Sequence, residues 1–98
     1  MTPLELRPEA AADIERVALW YEEKRPGYGS EFLSAVDEAL TLVQEHPEGF
    51  SRVYRGLRRV LLRRFPYGIY YRSKSEGVVV VACMHFRRAP RRWKGRRR

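Results

Sequence analysis

Seven successive apolar residues, Val78 to Met84, run between Gly77 and His85. Four valines open the run, and their branched Cβ atoms favour extended backbone over helix. A strand that is apolar on both faces must be covered on both, so it belongs in the interior of a sheet. That requirement organises the rest of the chain. At 98 residues, folding buries only about 60–65% of the surface the unfolded chain exposes, which allows one modest core. A single domain is expected over residues 1–93, followed by a basic, solvated tail over residues 94–98.

The segments before the valine run supply its cover and its neighbours. Leu4-Glu5-Leu6-Arg7 alternates as a short strand does. Pro8 suits a first helical position, with Glu9 and Asp13 near the positive end of the helix dipole. Ala10, Ile14, Val17, Ala18 and Tyr21 keep to one helical face until Arg25-Pro26-Gly27 interrupts. Phe32, Val36, Ala39, Leu40 and Val43 repeat at the same period until His46-Pro47. The short break between these segments predicts an antiparallel helical hairpin. Beyond Pro47 the pattern changes to strands at Arg52–Tyr54, Leu57–Phe65, Ile69–Arg72 and Val78–His85, separated by Gly56, Pro66 and Ser73–Gly77. The expected class is α+β, ordered β-α-α-β-β-β with room for one extra short strand. An N-terminal strand and an α-hairpin precede an antiparallel sheet of three to four strands.

Charge divides along the same line. Residues 1–51 carry 4 basic and 11 acidic side chains, whereas residues 52–98 carry 16 basic ones and only Glu76. The formal net charge of +8 is therefore concentrated in the second half, which points to a polyanionic or acidic partner. Cys83 is the only cysteine, which excludes an internal disulfide and suits a reducing cytoplasm. MTPLELRPEA lacks the apolar core of a signal peptide. The longest apolar run is far shorter than the ~20 residues that span a bilayer, so no membrane partner is expected.

Metal binding is poorly supported, since Cys83 and His85 share a strand face but His46 is the only other imidazole. No cofactor is implied. Nothing in the sequence ties Ser51, Ser73 or Ser75 to a catalytic base. His85 has two readings: a hydrogen-bonded structural residue at a strand end, or an imidazole facing a groove beside Arg87 and Arg88. Tyr67, Tyr70, Tyr71, Phe86 and Trp93 interleave with Arg72, Arg87, Arg88, Arg91 and Arg92. Aromatic faces beside guanidinium forks suit stacked bases and phosphates, although Tyr71 and Phe86 also fit a core role. The acidic residues on the two helices read as solvated faces.

Taken together, the segments PEAAADIERVALWYEE, GSEFLSAVDEALTLVQEHP, RFPYGIYYR and CMHFRRAPRRW resemble the ParE/RelE superfamily of bacterial type II toxins, and the ParE (plasmid stabilisation) branch in particular. The resemblance covers nearly the whole chain. It implies a small sheet carrying an α-hairpin, and a ParD-like antitoxin whose C-terminal segment lies across the toxin. RelE-type members cut ribosome-bound mRNA with arginines, lysines and usually a C-terminal tyrosine, whereas ParE-type members poison DNA gyrase. Gly68 stands where RelE-type sequences carry an arginine, and Trp93 where they carry the tyrosine. Only Arg87 falls on a RelE-type catalytic arginine.

The resemblance therefore implies a gyrase poison that causes growth arrest and is not itself an enzyme. Target-binding residues are expected at Arg58, Arg59, Arg63, Arg64, Arg87, Arg88, Arg92 and Trp93. Antitoxin contacts are expected at Tyr21, Tyr70 and Phe86. The alternative is a ribosome-dependent mRNA endoribonuclease in which His85 and Arg87 act catalytically.

Overall fold

A computed structural model of the chain describes residues 1–87. A short strand β1 (Leu4–Leu6) leads into helices α1 (Pro8–Lys24) and α2 (Tyr28–Glu45). Strands β2 (Arg52–Tyr54), β3 (Leu57–Leu61), β4 (Tyr67–Lys74) and β5 (Gly77–His85) follow. Among the described residues no helix is long and apolar enough to cross a membrane.

Both helices form for the reasons their sequences give. Pro8 opens α1 with Glu9 in the first turn, and one face buries Ala10, Ile14, Val17, Ala18 and Tyr21. Pro26 follows the last turn and prevents continuation. The start of α2 is capped from the preceding helix. Glu22 accepts hydrogen bonds from the backbone N–H groups of Gly27, at 3.0 and 3.1 Å, and Gly29, at 3.0 Å. These are donors that a helix start leaves without intrahelical partners. Gly27 takes φ 90°, and a Cβ on Gly29 would lie 2.6 Å from the Ala18 carbonyl oxygen. The hairpin thus needs glycine at both positions, one for its turn and one for close approach.

The sheet runs β1-β5-β4-β3-β2. Here the structure corrects the expected all-antiparallel sheet of three to four strands: it has five strands and is mixed. β1 pairs parallel to β5, Leu4 against Val78 and Leu6 against Val80, while the other pairs are antiparallel. A parallel neighbour needs a long crossover, and the α-hairpin with β2–β4 supplies it. The valine strand is interior, as its sequence requires, flanked by β1 and β4.

A bulge in β5 sets which side chains face the helices. Tyr70 pairs with Ala82 but Tyr71 with Val80, so Val81 is an extra residue in β5. Val78, Val80 and Cys83 join the main core beneath the helices, whereas Val81, Ala82 and Met84 join Leu57 and Tyr70 in a smaller cluster. The bulge is tied to α1. Asp13, only 1% exposed, accepts a 3.0 Å hydrogen bond from the Cys83 N–H through Oδ2. Its Oδ1 accepts one from Arg16 at 3.1 Å.

Candidate functional site

The end of the sheet where β3 and β5 finish is built on an aromatic cluster. The Tyr21 ring lies 4.9 Å from Tyr28, 5.0 Å from Phe65, 5.5 Å from Phe32 and 6.2 Å from Tyr67, centroid to centroid. Most of these meet edge to face, the geometry that ring quadrupoles favour. Burial, reinforced by the Tyr67 and Tyr28 phenols, raises the Tyr21 hydroxyl above its ordinary pKa. The cluster continues outward from Tyr67 to His85 at 5.5 Å, and from His85 to Phe86 at 5.3 Å. A packed wall thus ends in a half-buried imidazole, an exposed phenyl ring and the exposed Arg87.

Hydrogen bonds hold this terminus in place. The Phe86 N–H donates to the Pro66 carbonyl at 3.1 Å, joining the end of β5 to the β3–β4 loop. The Arg87 N–H donates to His85 Nδ1 at 3.2 Å. An accepting Nδ1 leaves the proton of neutral His85 on Nε2. The β3–β4 loop carries exposed Arg63 and Arg64, the latter in left-handed backbone at φ 70°. Arg63, Arg64 and Arg87 therefore occupy one end of the sheet. Glu31 lies between Arg25 at 3.6 Å and Arg64 at 4.0 Å, and the Arg25 guanidinium stacks over Tyr28 at 4.5 Å.

Arg58 does not join that group. Adjacent strand residues face opposite ways; Arg58 sits near the far end of β3, whereas Arg59 is its middle residue. Arg58 donates to the carbonyls of Phe50 at 2.7 Å and Glu48 at 3.3 Å. Beside it the Tyr71 hydroxyl donates to the Pro47 carbonyl at 2.9 Å, so together they clamp the loop after α2. Arg59 lies on the opposite face with its aliphatic stem over Gly68, where an added Cβ would meet it at 3.0 Å. Burial raises the pKa of the Tyr70 phenol, and the neighbouring Arg59 charge works against that rise.

Of the side chains expected to contact an antitoxin, Tyr21 is 7% exposed and Tyr70 1%, so both lie in the interior; Phe86 is 37% exposed. The outer face of α1 presents two larger apolar side chains that the sequence reading left aside, Leu19 and Trp20, at 59% and 50%. Arg88, Arg92, Trp93 and the tail over 94–98 lie outside the described residues. Burial, with the Asp13 charge adding to it, pushes the Cys83 thiol up to about 12. A thiol so held is inert as a nucleophile. Among the described residues no three His, Cys, Asp or Glu side chains are grouped to hold a metal ion. Asp13 was missed as a structural anchor, although it falls in phase with Ala10, Ile14 and Val17 on the apolar stripe, an unusual place for a carboxylate.

The family model for the ParE toxin of the type II toxin–antitoxin system parDE matches residues 4–90 of this chain. The chain belongs to the ParE toxin family. The match spans all the elements described above, from β1 to the turn after β5. A chain of the solved chromosomal ParDE TA system from P. aeruginosa has the same fold, with a TM-score of 0.75 at 22% identity, covering 87% of this chain and 96% of that one. A search of curated proteins returned no match. Within the ParE fold, the sheet end carrying His85, Phe86, Arg87, Arg63 and Arg64 is the candidate site.

Proposed function

We propose that this ParE-family toxin acts by binding, as a poison of DNA gyrase, and that a ParD-like antitoxin neutralises it by covering its surface. The observation that carries this reading is the arrangement at the sheet end. Exposed Arg63, Arg64 and Arg87 share that end with the exposed ring of Phe86, on a rigid aromatic base. Guanidinium forks on such a support suit a phosphate-rich or acidic target. Arg88, Arg92 and Trp93, expected from the sequence as further target contacts, lie outside the described residues.

Two further observations favour binding over cleavage. His85 Nδ1 already accepts the Arg87 N–H, which commits one imidazole nitrogen to holding the turn. Gly68 itself supplies no guanidinium where RelE-type sequences carry an arginine. Removing one positioned charge from a phosphoryl transition state typically costs about 10²-fold or more in rate. An mRNA endoribonuclease using His85 and Arg87 is the second reading, supported by the adjacency of those two groups at the strand end.

A protein partner needs apolar anchors. Leu19 and Trp20 on α1 and Phe86 beyond β5 supply them, and an antitoxin segment lying across the toxin would cover them. The experiment is a pair of reactions with the purified chain, gyrase supercoiling and cell-free translation. Loss of supercoiling with intact message supports the gyrase reading. Intact supercoiling with cleaved message overturns it in favour of the nuclease.

A further inference from the structure

The β2–β3 hairpin is a second basic surface, at the opposite end of the sheet from His85 and Arg87. Residues 52–59, RVYRGLRR, hold four arginines and no acid. Arg52 pairs directly with Arg58 across the two strands, an arrangement that is destabilising for like charges. The turn adds strain. Arg55 sits at φ 46° and Gly56 at φ 84°, and left-handed backbone favours Gly or Asn over Arg. A fifth guanidinium approaches from β4, since a Cβ on Gly56 would lie 3.4 Å from Arg72 Nη1. Among the described residues, carboxylates pair with Arg7, Arg16, Arg25 and Arg64, and with none of the hairpin's four arginines.

We propose that this hairpin is a contact for the phosphate backbone of duplex nucleic acid, separate from the sheet end assigned to gyrase and independent of that assignment. Local stability has been traded for a dense charge that, among the described residues, no carboxylate ion pair neutralises, carried on the hairpin at one edge of the sheet. β2 is an edge strand, so the hairpin is accessible along one side. Arg52 and Arg55 are three residues apart, about 10 Å along a strand, so they can meet different phosphates of a backbone that presents one per about 3.4 Å of axis on each strand. An acidic protein fits less well. Over 52–59 the only large apolar side chain that is exposed is Val53, which offers little of the apolar anchor that protein interfaces bury. The Arg55 guanidinium lies over one face of the Tyr54 ring, 5.6 Å from its centre.

The test is fluorescence anisotropy of a labelled 30-base-pair duplex of arbitrary sequence, titrated with the full chain between 50 and 200 mM KCl. The double variant Arg52→Gln/Arg55→Asn removes two charges, relieves the like-charge pair and gives the turn a residue that tolerates its backbone. The expected result is a roughly tenfold or greater loss of affinity at 50 mM salt. The slope of log affinity against log salt should fall by about 1.8, from two phosphate contacts. The melting temperature should be unchanged or higher, an outcome that a purely structural role would not give. The charge-matched variant Arg7→Gln/Lys24→Gln should keep most of the affinity. Absence of duplex binding by the unaltered chain would overturn the proposal, as would equal losses in both double variants. So would duplex affinity and salt slope that are unchanged in Arg52→Gln/Arg55→Asn. None of these readings involves gyrase, so they stand or fall apart from the supercoiling result.

Discussion

At the end of the sheet where β3 and β5 stop, Arg25 and Arg64 share the Glu31 carboxylate and Arg25 is stacked on Tyr28. At the other end Arg52 pairs with Arg58 across the strands, and among the described residues no carboxylate forms an ion pair with either. One end sets its charges on a dense aromatic base and neutralises part of them. The other concentrates charge on an edge hairpin without such pairing among the described residues. The contrast shows that arginine has no single role in this chain. Arg58 is a hydrogen-bonding clamp, Arg64 half of a surface ion pair, and Arg55 a strained, solvent-facing cation.

Substitutions that break this comparison differ widely in size. Tyr21→Ala removes the ring on which the aromatic end converges, and is expected to destabilise the fold by about 3–5 kcal/mol in urea denaturation. A value below 1 kcal/mol would mean the cluster is not the support described here. Raising the pH should weaken the same body of the protein. The fold favours the neutral Cys83 thiol, ordinarily at 9.0 and here at about 12. Tyr21, Tyr70 and Tyr71 are shifted upward from 10.0 by burial as well. Groups raised in this way stabilise the fold fully below their unfolded values and lose that contribution as pH climbs through the folded ones. Urea midpoints should therefore fall between pH 9 and 12, and Cys83 should resist thiol reagents in the native state. Rapid native-state labelling at pH 8 would contradict its burial.

Smaller effects separate the arginines. Arg58→Met keeps the stem but leaves the Phe50 and Glu48 carbonyls without their donor, and should cost about 1–3 kcal/mol. Arg52→Gln with Arg55→Asn removes twice the charge, yet stability should stay within about 0.5 kcal/mol or rise. If both variants destabilise alike, the hairpin charge is structural and the distinction between the two arginine roles fails.

Much of the fold could be read from the sequence because local chemistry dictated it. The period of Ile14, Val17 and Tyr21, the stops at Pro26 and Pro47, and the doubly apolar run from Val78 all act over a few residues. The parallel pairing of Leu4 with Val78 could not be read in this way. It joins residues 74 positions apart through a crossover that neither segment encodes alone. The bulge at Val81 is likewise invisible locally, since four successive valines give no hint of which one is extra. The candidate site was legible in composition but not in grouping. Strand alternation already separates Arg58 from Arg59, and only the fold reveals that Arg63, Arg64 and Arg87 share an end while Tyr21 and Tyr70 are sealed inside.

The most direct test of the central claim is DNA supercoiling by gyrase in the presence of the purified chain and its Arg63→Ala/Arg64→Ala/Arg87→Ala variant. The intact chain should block supercoiling, and the triple variant should lose that block by at least tenfold while melting at the same temperature. Full inhibition by the well-folded variant, or none by the intact chain, would contradict the assignment of this sheet end to gyrase.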